Sequence, residues 1–156
     1  MIETRIEFNR ASFDTKTKRL GESLTDMRSA WPKVADEFDR IVESFFHREG
    51  SASGPWADLT DEYASRKTPD RGILRKTDAL FTSLTRKYAA NSIFRVRKEG
   101  FTRGSSLKYF KFHQEGTRNM PARPIYSFNE NHVRRMRNVL RTELRAKIVS
   151  IGIEVK

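Results

Sequence analysis

The segment Trp31-Pro32-Lys33-Val34-Ala35-Asp36-Glu37-Phe38-Asp39-Arg40-Ile41-Val42-Glu43-Ser44-Phe45-Phe46-His47 decides how the rest of the chain reads. Val34, Phe38, Ile41, Val42, Phe45 and Phe46 recur at three- and four-residue intervals and make one broad apolar stripe, the pattern of a helix packed on a core. Pro32 suits the first helical turn, where its missing N–H costs nothing. The helix is predicted over about 32–47. Asp36, Glu37, Asp39, Arg40 and Glu43 are expected on its opposite, solvated face.

Upstream, Trp31-Pro32 interrupts an earlier helical pattern over 12–29, in which Phe13, Leu20, Leu24 and Met27 share a side. Before that, Ile2 to Phe8 alternates apolar and polar residues, as a half-buried strand does. Downstream, Gly50-Ser51-Ala52-Ser53-Gly54-Pro55 stops the helix and predicts a flexible loop. Thr60, followed by Asp61 and Glu62, has the chemistry of a helix N-cap, and that helix ends before Pro69. After a turn-rich stretch over 68–75, Thr77 is the expected cap of a helix running through Leu80, Phe81, Leu84 and Tyr88.

Residues 92–97 and 101–103 flank Lys98-Glu99-Gly100 and read as a hairpin. A short helix over 107–114 should stop at Gly116, and Pro121 and Pro124 keep 117–127 irregular. The last helix, about 129–148, aligns Val133, Met136, Leu140, Leu144 and Ile148, with arginines on its other faces. Residues 151–155 read as a terminal strand. The sum is an α+β fold in a single domain spanning 1–156: about five helices, a small antiparallel sheet or hairpin, and a long basic C-terminal helix.

The 156 residues include 11 Phe, 4 Tyr and 2 Trp and no Cys, so disulfides and thiolate metal sites are excluded. No apolar run approaches the roughly 20 residues of a membrane span, and the N-terminus lacks a signal-peptide core, so no membrane partner is expected. The net charge of +11 is unevenly placed. Residues 1–64 hold 9 Lys+Arg against 13 Asp+Glu, whereas residues 65–156 hold 22 against 7. Such asymmetry points either to a polyanion or acidic partner, or to a basic surface whose arginines serve protein contacts.

The inventory for catalysis is thin. His113 alone among the three histidines sits in a Gly-bounded aromatic segment, and it reads as a packed residue rather than a general base. No histidine pair at metal-ligand spacing occurs, the first-half acids fit a solvated face better than a carboxylate dyad, and phosphate-loop and nucleophile-elbow patterns are absent. No cofactor is expected. Arg95, Arg97, Lys98 and Arg103 on the hairpin, with Arg134, Arg137 and Arg141 on the last helix, are the candidates for contact with DNA or an acidic partner. Phosphate contacts of this kind give affinity without sequence reading.

An ordered series of weaker motifs carries more. It runs Gly54-Pro55-Trp56-x-x-Leu59, Tyr63, Lys67, then Ile73-Leu74-x-x-Thr77-x-x-Leu80-x-x-Ser83-Leu84. Tyr109-x-x-x-His113-Gln114-x-Gly116 and Pro121-Ala122-Arg123-Pro124-Ile125 follow. Over about 40–145 this resembles the phage virion morphogenesis family, the tail-completion proteins typified by Mu-like myophages. Where that family usually has Gly after the threonine, this chain has Asp78.

The resemblance implies a non-enzymatic structural protein at the head–tail junction of the virion, assembled in the host cytoplasm. It would complete the tail or neck and join it to the filled head, as a subunit of a homo-oligomeric ring whose acidic and basic halves meet between neighbours. Neck, tail-terminator or connector proteins are the expected partners, with nonspecific contact to packaged double-stranded DNA. A free, sequence-nonspecific DNA-binding protein is the alternative. Trp56, Leu59, Tyr63, His113 and Arg123 are the candidate subunit-interface residues. Each of the two motif loops has a second reading, as a segment packed on its own domain.

Overall fold

The computed structural model describes residues 15, 18, 19, 21, 22, 25–67 and 72–152. The expected strand over 2–8 and residues 153–155 of the expected terminal strand lie outside them; Ile151 and Gly152 form a turn. The described positions from Thr15 to Thr25 are helical, but the helix expected over 12–29 stops short of its expected end, since residues 26–30 are coil and turn.

Helix α1, Trp31–His47, is the axis of the molecule, with Pro32 in its first turn. Its apolar stripe feeds a core of Ile41, Val42, Phe45, Phe46, Trp56, Ile73, Leu80, Leu84 and Ile125. The expectation of a fully solvated opposite face fails at two positions, because Glu37 and Asp39 are buried. At about 100° per residue both fall at the margins of the stripe, not across from it, so neighbouring elements reach over them.

The loop expected after α1 is instead a minimal hairpin. Strands β1 (Gly50–Ser51) and β2 (Gly54–Pro55) pair antiparallel, Gly50 opposite Pro55. A Cβ on Gly50 would stand 2.8 Å from the Gly54 carbonyl oxygen, so only glycine allows this approach. Helix α2, Asp61–Arg66, is capped as expected, the Thr60 hydroxyl accepting from the Tyr63 amide.

Helix α3, Ala79–Thr85, starts one residue later than expected and ends before Tyr88, which is 86% exposed. Its cap residue is Asp78, not Thr77, at φ 57° in the left-handed region. That conformation costs glycine nothing, and Asp is among the few other residues that tolerate it. A glycine at this position would meet the same backbone demand.

Strands β3 (Ser92–Arg97) and β4 (Gly100–Ser105) form the second hairpin, Phe94 opposite Arg103 and Arg95 opposite Thr102. Its inner face sets Phe101 against Trp31 and Phe38. Helix α4, Tyr109–Glu115, ends at Gly116 with φ 76°. Helix α5, Glu130–Ser150, opens with a capping box: the Asn129 side chain accepts from the His132 amide, and His132 Nδ1 accepts from the Asn129 amide. Its expected stripe is displaced at the start. His132 is buried against Phe45, with ring centroids 5.2 Å apart, while Val133 is 37% exposed.

Candidate functional site

The two proline-bounded motif loops lock onto each other within the chain. The Trp56 indole is buried against Phe46, and its Nε1 donates to the Pro124 carbonyl at 3.1 Å. In return, Arg123 Nε and a terminal guanidinium nitrogen donate to the carbonyls of Ala57 and Asp58 at 2.7 and 2.8 Å. The Arg123 amide is bound to the His113 carbonyl, and the Gln114 amide oxygen accepts from the amides of Ile125 and Tyr126. Trp56 and Arg123 are therefore internal ties of the domain, and Arg123 also lines the cleft that holds Leu59, Tyr63 and His113. The carbonyl contact expected of Arg123 is made, but inside the subunit.

Leu59, Tyr63 and His113 have a different setting. They line one cleft of about 660 Å³ between the start of α2, the loop before α3, α4 and the Met120–Pro121 turn. Leu74, Leu80, Met120 and Tyr109 add to its apolar surface, while Lys67, Arg75, Lys76, Asp78, Asn119 and Arg123 make the rest of the lining polar and mostly basic. Tyr63 and Tyr109 stand at its rim, 39% and 40% exposed. Leu74, at φ 62°, and Asp78 put two non-glycine residues with left-handed backbone into one wall, a strain that persists only where packing holds it.

His113 Nδ1 is buried in this setting without a hydrogen-bond partner among the described residues. Burial first, and then the nearby Arg123 charge, holds the imidazole below its ordinary pKa. It is neutral at physiological pH, with one ring nitrogen left to bond. Among the described residues no nucleophile or carboxylate is hydrogen-bonded to it, so the cleft is a place to bind a group that sets apolar surface against Leu59, Leu74 and the two tyrosines and polar atoms against the charged part of the lining. Among the described residues no group of three His, Cys, Asp or Glu could hold a metal ion, and no helix is long and apolar enough to cross a membrane.

The basic candidates divide sharply. Arg95, Arg97 and Lys98 are exposed, the first two on the outer face of the β3–β4 hairpin. Arg103 points the other way and is buried, its side chain 1% exposed. It binds both carboxylate oxygens of Asp39 at 2.8 and 3.1 Å, Ser92 Oγ at 2.6 Å and the Ser83 carbonyl at 3.2 Å. As a DNA or partner contact Arg103 is thus corrected to an interior ion pair. Burial raises the Asp39 carboxyl above its ordinary range, and Arg103 opposes that shift. Arg134, Arg137 and Arg141 are exposed along α5.

Sequence reasoning missed how many charges are spent inside the subunit. Glu37 binds Arg135 at 2.7 Å, Asp36 binds Lys87 at 2.6 Å, and Lys33 binds Glu143 at 2.8 Å. With Asp39–Arg103, these pairs join the acidic first half to the basic second half within one chain. The available signal was the position of Glu37 and Asp39 at the edges of the α1 stripe; their partners were invisible to local pattern.

Comparison with known proteins agrees with the ordered motifs. A model of the phage virion morphogenesis family matches residues 9–145. The "Mu-like prophage FluMu G protein 1" of Haemophilus influenzae is 29% identical over 144 residues, covering 88% of this chain and 92% of that protein. No solved structure matches.

Proposed function

We propose, for a chain that belongs to the phage virion morphogenesis family, a non-enzymatic role in completing the tail or neck and joining it to the DNA-filled head. It acts as a subunit of a homo-oligomeric ring at the head–tail junction, beside neck, tail-terminator or connector proteins. The observation that carries this reading is the cleft. Its lining sets apolar surface from Leu59, Leu74 and Met120 beside the cations Lys67, Arg75 and Arg123, its rim presents Tyr63 and Tyr109, and a buried imidazole nitrogen waits for a partner. Rim aromatics beside a cleft are the groups that anchor interfaces. Leu59, Tyr63 and His113 are then the contact residues, with Arg123 in the lining beside them and Trp56 supporting the loop from behind.

Electron microscopy of particles assembled without this protein tests the role. Full heads beside free tails support joining; tails of abnormal length indicate length termination instead. Complementation sharpens the site: Tyr63→Asp with Tyr109→Asp should leave a folded chain that fails to restore infectious particles. Normal particle yield from that variant would remove the cleft from the interface.

A further inference from the structure

Helix α5 turns one side to α1, where Met136, Leu140, Leu144 and Ile148 are half-buried. On its flank Arg134, Arg137, Arg141 and Arg145 follow one another at intervals of three, four and four residues. At 3.6 residues per turn these four fall in a stripe about 80° wide and roughly 16 Å long. All four are exposed. We propose that this stripe lies along the phosphate backbone of double-stranded DNA and holds it without reading sequence.

Folding gives no reason for the stripe. Arg137, Arg141 and Arg145 are like charges one turn apart, an arrangement that costs a helix stability. The acids that might offset it are engaged elsewhere or weakly placed. Glu143 is turned to Lys33, and Glu130 meets Arg137 only at 3.5 Å, both side chains more than half exposed. Arg134 reaches no further than the Asn131 amide oxygen. Arg141 and Arg145 have no ion-pair partner among the described residues. By contrast Arg135, on the same helix but outside the stripe, is tied to Glu37.

An acidic protein surface is the competing partner, and the flank argues against it. Beside the arginines stand exposed Asn138, Thr142 and Ala146, and the other exposed apolar residues nearby are two valines, Val133 and Val149, one at each end of the helix. Protein interfaces draw their energy from anchors in an apolar centre, whereas this face carries no aromatic group and keeps its two exposed valines at opposite ends, not at its centre. Phosphate binding needs only exposed cations along a line with room for the backbone to approach. A duplex presents one charge per about 1.7 Å, so the stripe faces on the order of ten phosphate charges. Guanidinium forks bind such oxygens in pairs.

The inference does not rest on the junction role and is tested apart from it, with the isolated full chain and a fluorescently labelled mixed-sequence duplex, by anisotropy across a salt series. Binding should weaken linearly on a log–log plot. Arg134→Gln, Arg137→Gln, Arg141→Gln and Arg145→Gln together should lower the magnitude of the slope by about 3 to 4, since each phosphate no longer neutralised removes roughly 0.9. The pair Arg141→Gln with Arg145→Gln should remove about half of that. Circular dichroism of both variants should match the parent, because glutamine is a good helix former. Arg95→Gln with Arg97→Gln, on the hairpin, should leave most of the slope intact. The proposal is overturned if the parent chain does not bind, if the stripe variants keep the parent slope, or if poly-glutamate competes as well as DNA.

Discussion

Around Arg103 a guanidinium is enclosed by the strand that carries it, by α1 and by α3, and every contact it makes belongs to the same chain. Along α5 four guanidinia stand in water, one turn apart, with no comparable acid beside them. The residue type is the same and the local sequence equally basic, yet one region spends its charge on folding and the other displays it. The difference is in what surrounds the side chain. A guanidinium withdrawn from water must recover its solvation from a carboxylate and carbonyls, whereas an exposed one keeps its water until a partner displaces it. Counting arginines therefore identifies a basic chain, and only their burial separates structural charge from charge left for binding.

The largest expected effect is at the enclosed pair. Arg103→Ala or Asp39→Ala should cost about 3–5 kcal/mol in urea unfolding, since either leaves an uncompensated buried charge or its unbonded neighbours. Asp39→Leu combined with Arg103→Met should restore most of that stability, and failure to do so would show that the bonds to Ser83 and Ser92 dominate. Charge reversal at Arg103 should accordingly remove particles by unfolding the chain, while reversal at Arg95 and Arg97 should leave its melting unchanged.

The loop ties come next. Trp56→Ala should cost about 3–5 kcal/mol through the cavity it opens. Arg123→Ala should cost about 2–3 kcal/mol, because it strands the Ala57 and Asp58 carbonyls that charged hydrogen bonds now satisfy. The two sites share one junction, so the double variant should be less destabilised than the sum; strict additivity would mean that the loops are held independently.

A smaller, pH-dependent effect is expected at the start of α5. Burial first, then the charges of Arg48 and Arg135, holds His132 below its ordinary pKa, so it stays neutral in the folded chain. The unfolded chain takes up that proton near pH of about 6.5. Stability from this site is complete above that value and falls as pH drops towards the lower folded-state pKa. Protonation also removes the Nδ1 acceptor of the Asn129 amide, a cap worth about 1 kcal/mol. His132→Gln should flatten the dependence of the unfolding midpoint between neutral and mildly acidic pH, and an unflattened profile would point to His113 instead.

The least effect on stability is expected at the displayed arginines. Replacing the stripe by glutamines should shift stability by no more than about 0.5 kcal/mol, towards a gain, as like-charge repulsion along the helix is relieved. A destabilisation of several kcal/mol would erase the contrast with Arg103.

Much of this architecture is legible from local pattern. Apolar periodicity marked α1, alternation and a central turn marked the β3–β4 hairpin, and Thr60, Gly116 and Asn129 ended or began helices near the expected places. Exceptions arose where a neighbour distant in sequence intervened. The glycine-rich loop closed into β1–β2 because Trp56 and Glu49 pin its ends, and α3 began after a left-handed Asp78 held by Arg75. Of the interface candidates, Leu59, Tyr63, His113 and Arg123 were brought to one cleft, Arg123 with its guanidinium tied to Ala57 and Asp58, while Trp56, chosen by the same chemistry, was turned inward.

By itself the sequence determined the kind and order of elements, the turning points and the family, because periodicity, proline, glycine and caps act within a few residues. The tertiary structure alone decided which charges are interior and which loop residues meet a cleft. Asp39 and Arg103 are 64 residues apart, and nothing in either neighbourhood reveals that the cost of burying one is met by the other.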